Sequence, residues 1–281
     1  IEIMNLKFSV LIANYNNATF IKDAIDSVIS QSYSNWEVII VDDASTDESI
    51  EVIQEYLNDK RIIFEVNSEN KGCGFTKNKC TKLATGEILG FLDPDDKLAN
   101  TALEVMVNEH MNGPEYSLIF SNRFLCDSKL NLKKKQPKIS YNKEVSLLEQ
   151  SEGRVSHFAT FKKDNYRKTK GIDESFKRAV DMDLYYKLEE VGKIHFTDQR
   201  IYYWRIHNSG ISTNTNFPKA RAWGIYAKIK ACQRRGIPFE DVISKNVMDS
   251  KIIENYYRNS REFKIGFFIL RPYRKIRSLF K

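Results

Sequence analysis

The sequence predicts an α/β protein with a mostly parallel central sheet flanked by helices and a helical extension at its C-terminus. Three observations carry that expectation. The runs Phe8–Ala13 (FSVLIA), Trp36–Val41 (WEVIIV) and Ile88–Leu92 (ILGFL) are continuously apolar, as in strands buried on both faces. Segments with apolar residues at helical spacing separate them, so strands and helices alternate in βαβ units. Beyond residue 215 the pattern becomes helical throughout, with Pro218–Arg235 and Glu240–Tyr257 as the two helices.

The elements follow in order. Phe8–Ala13 is the first strand, and Asn14-Tyr15-Asn16-Asn17 is the loop after it. Phe20–Ile29 places Phe20, Ile21, Ala24, Ile25, Val28 and Ile29 on one helical face, with Thr19 as the expected N-cap. Trp36–Val41 ends in Asp42-Asp43-Ala44-Ser45-Thr46-Asp47, and Glu48–Leu57 is the second helix. Ile62–Val66 reads as a strand, Lys71-Gly72-Cys73-Gly74 as a turn, and Phe75–Ala84 as a helix. After Ile88–Leu92 come a helix over Leu98–Met111 and strands over Ser117–Ser121, Val155–Phe161 and Ile194–Tyr203. Lys129–Lys138 reads as a solvated basic connector, and Gly171–Glu174 as a turn before a helix that ends near Val191.

The stretch Gly86–Lys97 (GEILGFLDPDDK) sets a buried strand against Asp93, Asp95 and Asp96. Like charges at the end of a buried strand repel and lose hydration unless a cation joins them. Hard oxygen ligands in that position suit Mg²⁺ or Mn²⁺. In a parallel sheet with right-handed crossovers, ligands bind at the carboxyl ends of the strands. The clusters Asn14–Asn17, Asp42–Asp47 and Asp93–Asp96 all fall at such ends, and their convergence points to a site more strongly than any one alone.

Composition excludes several classes. No run approaches the ~18 apolar residues of a membrane span, and no signal-peptide pattern opens the sequence. Cys73, Cys80, Cys126 and Cys232 lack metal or redox spacing, so reduced thiols and a cytosolic setting are expected. The net charge of +7 resides in Lys251–Lys281, which has nine Lys or Arg and two Glu. Basicity confined to the end argues against a nucleic-acid-binding surface.

The ordered series Ala13–Asn16 (ANYN), Asp42–Asp47 (DDASTD), Asn70–Gly72 (NKG), Lys77-Asn78, Gly86–Asp96, Gly171–Glu174 (GIDE), Val180–Leu188 (VDMDLYYKL) and Arg205–His207 (RIH) resembles inverting family 2 glycosyltransferases of the GT-A fold. The likeness covers about residues 7 to 210. It implies a catalytic domain over 1–215, with a nucleotide-sugar part near 7–122 and an acceptor part near 140–215, and an extension over 216–281. It further implies that Tyr15 and Asp43, with the backbone at Ala13, hold the nucleotide base. Lys71 and Lys77 lie where the family keeps basic side chains near the nucleotide. By the same resemblance Asp95 is the metal ligand, Asp93 its partner at ribose or metal-bound water, His207 a late metal or diphosphate contact, and Asp181 the general base. The implied cofactor is Mn²⁺ or Mg²⁺, the implied donor a UDP-sugar, and the implied acceptor a glycan or lipid-linked glycan. Two positions depart from the pattern: Val180 replaces the family's Glu before the base, and Ala13 replaces its usual Pro. Asp183 is expected to serve only as a carboxylate at a helix N-terminus.

Other readings fare worse. No G-x-G-x-x-G follows the first strand, against a dinucleotide-binding oxidoreductase, and ANYN is not the Gly- and Lys-rich loop of a nucleotidyltransferase. A non-catalytic module binding glycans or membranes would not need Asp93, Asp95 and Asp181 together. The tail Phe263–Lys281 (FKIGFFILRPYRKIRSLFK) has two expectations: a helix packed on the domain, or a segment on the anionic inner face of a cell membrane.

Overall fold

The computed structural model describes residues 5–136, 139, 141–150, 155–207, 210 and 216–246. The tail Phe263–Lys281 and the second half of the helix expected over Glu240–Tyr257 lie outside these residues. The strands are β1 (Phe8–Asn14), β2 (Trp36–Asp42), β3 (Ile62–Val66), β4 (Ile88–Phe91), β5 (Lys97–Leu98), β6 (Tyr116–Cys126), β7 (Ala159–Lys162) and β8 (Lys193–Arg205). The helices are α1 (Ile21–Ile29), α2 (Ser49–Gln54), α3 (Cys73–Leu83), α4 (Ala102–Asn112), α5 (Lys163–Lys168), α6 (Val180–Glu189), α7 (Phe217–Arg235) and α8 (Phe239–Asn246).

The strands form one sheet in the order β3-β2-β1-β4-β7-β6-β8-β5. β3, β2, β1 and β4 are mutually parallel, as are β6 and β8. β7 is antiparallel to both β4 and β6, so β4 and β6 run the same way and their carboxyl ends share a rim. The expected mostly parallel sheet is therefore present, with β7 and the short β5 reversed.

The alternation of side chains along each strand divides the core in two. Phe8, Val10 and Ile12 of β1 and Trp36, Val38 and Ile40 of β2 pack with Ile21 and Ile25 of α1 and Leu103 and Met106 of α4. Leu11, Ile39 and Val41 face the other way, with Cys80 of α3, Leu184 and Leu188 of α6 and Ala227 and Ala231 of α7. Each fully buried aliphatic side chain contributes about 1.5–3 kcal/mol.

Several elements differ from expectation. Thr19 is not the cap of α1: the helix starts at Ile21, and the backbone N–H groups of Phe20 and Ile21 both donate to the Asn17 carbonyl. Phe20 turns from the helix core to the site, its ring 4.5 Å from the Arg205 guanidinium and 4.7 Å from the His207 ring. β6 runs five residues past Ser121, because β8 follows it across register shifts that polar Asn122 and Arg123 gave no reason to expect. Val155–Phe161 contributes only its last part to β7, and α5 follows directly.

At the amino ends of the strands a buried carboxylate fixes the register. Glu37 on β2 accepts from Ser9 Oγ of β1 at 2.6 Å, from Thr85 N and Oγ1 at 2.6 and 2.8 Å, and pairs with Lys7 at 2.6 Å. Burial raises its pKa, but the Lys7, Ser9 and Thr85 hydrogen bonds outweigh burial and the carboxyl titrates below its usual 4.5. A depressed folded-state pKa gives stability that is complete above the unfolded value and lost as pH falls through the folded one. Thermal melts of the wild type should therefore lose part of their midpoint below about pH 4.5, and Glu37→Gln should be less stable at pH 7 and flatter across that window. Parallel pH profiles for the two proteins would remove Glu37 from the account.

Candidate active site

The site occupies the carboxyl rim of β1, β2, β4 and β6. At the β1–β2 end, two loops stitch each other together. Asp42 accepts from Asn14 Nδ2, Ser45 N and Ser45 Oγ, each at 2.7 Å. Ser45 Oγ accepts from Asn16 N, Asn16 Oδ1 accepts from Thr46 N, and Asp47 accepts from Ala18 N. Most polar residues of the two clusters thus serve the loops themselves.

Asp43 and Tyr15 remain. Asp43 is 3% exposed and accepts from Asn67 Nδ2 at 2.8 Å, Lys71 N at 2.9 Å and Gly72 N at 2.8 Å. A carboxylate offers about four lone-pair sites, so one is left for a further N–H donor. Gly72 takes φ 91°, a conformation that favours glycine, and so turns its N–H onto Asp43. Tyr15 presents an exposed ring beside this loop, after the strand position held by Ala13. Among the described residues the Lys71 ammonium reaches Glu69, at 3.9 Å, and the Phe75 ring.

The acidic cluster follows β4. Ligand atoms of Asp93, Asp95 and Asp96 lie within 4.8 Å of one another. Asp96 is buried, accepting from Tyr202 Oη at 2.6 Å and Arg205 N at 2.7 Å. Burial, then the charges of Asp95 and Asp93, push its carboxyl well above the usual range. Asp95 Oδ2 lies 2.7 Å from His207 Nε2, and the Asp95 carbonyl accepts from Arg205 Nε at 2.7 Å. Crowded acids of this kind are the arrangement a divalent cation relieves. Two carboxylates with one imidazole, Asp93, Asp95 and His207, form a donor set that fits Mn²⁺ or Mg²⁺.

Asp181 sits in the first turn of α6, after Ala179 in the left-handed conformation. Lys77 Nζ of α3 donates to both its oxygens, at 2.7 and 2.8 Å, and lies 3.7 Å from Asp93 Oδ1 and over the Phe91 ring. Burial weakens the charge on Lys77, but Asp181 and Asp93 more than compensate and hold its pKa well above the usual value. The expected nucleotide lysine thus bridges the candidate base and the metal cluster. Asp183, two residues on, is buried and paired with Lys187 at 2.6 Å and Arg234 at 3.1 Å, joining α6 to α7.

Three further residues shape the site, two of them, His157 and Tyr202, without a sequence signal of their own. His157, just before β7, brings Nε2 to 3.5 Å from Asp93 Oδ2. Tyr202 and Arg205 on β8 hold Asp96, and Arg205 also pairs with Asp23 of α1 at 2.6 Å. The hint for Arg205 was its place in the Arg205–His207 (RIH) stretch of the resemblance.

Removal of Lys77 should leave two partly buried acids facing each other. A fully buried pair broken on one side loses about 3–5 kcal/mol; partial exposure of Asp181 and Asp93 reduces this to about 2–3 kcal/mol. Urea denaturation of Lys77→Met should show that loss, with Lys77→Arg recovering most of it. An unchanged midpoint in Lys77→Met would mean that the pair does not hold the site together.

The family model described as "Glycosyl transferase family 2" matches residues 9–180. The chain is 30% identical over 207 residues to "Chondroitin synthase" of Escherichia coli, covering 73% of this chain and 29% of that protein. It is 28% identical over 207 residues to "Hyaluronan synthase" of Pasteurella multocida, 73% of this chain and 21% of that protein. It therefore spans less than a third of the length of either relative. Among solved structures, S. aureus TarS 1–349 in complex with UDP matches with a TM-score of 0.64 at 18% identity, over 93% of this chain and 74% of that one. The mannosyltransferase PcManGT from Pyrobaculum calidifontis, in complex with GDP-Man and Mn²⁺, matches with a TM-score of 0.56 at 14% identity, over 92% and 82%. These likenesses establish the GT-A fold, and with an acidic strand end and a facing carboxylate on one rim, the match across most of the sheet makes this chain a member of glycosyl transferase family 2.

Proposed function

We propose that the protein transfers a sugar from a nucleoside diphosphate, UDP foremost, to a hydroxyl of a glycan or lipid-linked glycan, inverting the anomeric carbon, in the synthesis of a bacterial cell-surface polysaccharide. The observation that carries this reading is the contact chain from Asp181 through Lys77 to Asp93, beside Asp95 and His207. It sets a carboxylate able to take a proton next to a donor set able to hold a metal. TarS in complex with UDP-GlcNAc and PcManGT with GDP-Man and Mn²⁺ support a nucleotide-sugar donor and a divalent ion here. UDP is preferred because the TarS complexes have the higher TM-scores.

In this mechanism the open acceptor site of Asp43 takes an N–H of the base, and Tyr15 stacks on its ring. Asp93, Asp95 and His207 would hold the metal, which as a Lewis acid stabilises the charge that develops on the leaving diphosphate. Asp181 accepts the proton of the attacking hydroxyl, and Lys77 fixes the carboxylate in place. Val180 offers no polar contact to the acceptor where the family's usual residue is Glu.

Thermal stability against a panel of nucleoside diphosphates, with and without Mn²⁺, tests the donor site. A ligand at 100 times its dissociation constant stabilises by about 2.7 kcal/mol. A shift for one nucleotide that requires Mn²⁺ and disappears in Asp95→Ala is expected; no shift with any nucleotide sinks the reading and favours a non-catalytic glycan- or membrane-binding module. Asp181→Asn should retain the shift and lose about 10²–10⁴ in transfer rate.

No helix among the described residues is long and apolar enough to cross a membrane. The reading includes a cytoplasmic location with Phe263–Lys281 touching the anionic inner face of the membrane, each Lys or Arg adding about 1 kcal/mol. Sedimentation with anionic liposomes should depend on that segment; equal binding by a chain ending at Glu262 would rule the contact out.

A further inference from the structure

The carboxyl rim has an order. Asp43 and Tyr15 stand at β2 and β1, and Asp93–Asp96 follow β4. On the far flank are His157 and Ser156, just before β7, and Arg123, near the end of β6. A donor anchored at the first flank and the metal at the second leaves the third to the incoming acceptor.

That third flank holds a guanidinium without an ion-pair partner among the described residues. Arg123 Nη1 donates to Ser156 Oγ at 2.7 Å, and the group lies 4.3 Å from the Trp204 ring, which keeps it flat and fixed. It has no carboxylate partner among the described residues. The charge of Asp96 acts on it, but the Asp96 oxygens are hydrogen-bonded to Tyr202 Oη and Arg205 N and not to Arg123. Arg123 Nε is buried without a hydrogen-bond partner among the described residues, and so is Nδ1 of His157, the residue after Ser156. Arg205, by contrast, pairs with Asp23, and Arg234 with Asp183 and Glu190. A desolvated, pre-oriented guanidinium lacking an anion is costly for the folded protein, and a planar oxyanion restores the balance. Burial holds the Arg123 pKa below the ordinary arginine range, consistent with a missing negative partner.

We propose that Arg123 and His157 form an acceptor subsite for an oxyanion carried on a sugar, either a uronate carboxylate or a phosphodiester, with Ser156, whose own O–H donates to the His157 carbonyl, holding the guanidinium in place. The inference rests on the glycosyltransferase reading and narrows its acceptor to an acidic glycan. No bond is made or broken at the subsite. It positions the acceptor so that a neighbouring hydroxyl meets Asp181, across Asp93 and Lys77.

Calorimetric titration of the full chain, held at saturating UDP and Mn²⁺, tests it with three oligosaccharide series of matched length: neutral, uronate-containing and phosphodiester-linked. One acidic series should bind at least about tenfold tighter than the neutral one, and which of the two does so names the anion. Methyl-esterified uronates should fall to the neutral level in the wild type, a comparison that needs no variant. Arg123→Gln should erase the preference, and Arg123→Lys should keep part of it, while the heat of UDP and Mn²⁺ binding reports that each variant is folded. Equal or tighter binding of the neutral series, an acidic preference that survives Arg123→Gln, or no binding of any series to UDP-loaded protein overturns the subsite. Failure of the transferase reading registers separately, as no heat with UDP and Mn²⁺.

Discussion

The acidic rim stands because two buried cations sit inside it. Arg205 is 4% exposed and touches four parts of the chain. Its backbone N–H holds Asp96, its Nε holds the Asp95 carbonyl, its Nη1 donates to the Ser128 carbonyl at 2.9 Å, and its Nη2 pairs with Asp23. β8, the acidic loop, the turn after β6 and the first helix thus meet on one arginine. Lys77 does the same on the other side for α3, α6 and the loop after β4. A cluster of carboxylates at a strand end would otherwise be destabilising by mutual repulsion. Both cations are placed by contacts distant in sequence, so the charge balance of the site exists only in the folded protein.

That distance explains what could be read in the sequence and what could not. Asp43, Asp93, Asp95 and Asp96 were legible because each ends an apolar run, and a parallel sheet sends such ends to one rim. Asp181 was legible through the resemblance. Lys77 was recognised as a basic residue near the site, but its partner lies 104 residues away, and no local pattern encodes that pairing. His157 and Arg123 had no signal at all: one precedes an ordinary apolar strand, and the other is a polar residue inside β6. The reversed placement of β7 brings His157 to Asp93, and β6, paired with β8, sets Arg123 over the Trp204 ring. Phe20 was misassigned because helical spacing does not show that a first turn unwinds toward a ligand site.

The extension belongs to the catalytic unit through charge as much as through apolar packing. Asp183 accepts from Lys187 on its own helix and Arg234 on α7, while Glu189 and Glu190 pair with Arg235. Trp223 and Tyr226 of α7 pack on Phe176, in the segment leading to Asp181. The helix that presents the candidate base is therefore braced from behind, and a change on α7 has a direct mechanical path to the site.

The position of β7 also governs the order in which the chain can assemble. β4 is complete at residue 91 and β6 at 126, yet the four residues that join them, Ala159–Lys162, come later. Until those residues emerge during synthesis, β4 offers one open edge and β6 another, each a template for unwanted pairing. Joining of β4 to β6 and delivery of His157 to Asp93 are then a single event, and β8 and β5 complete the sheet only when residues 193–205 follow.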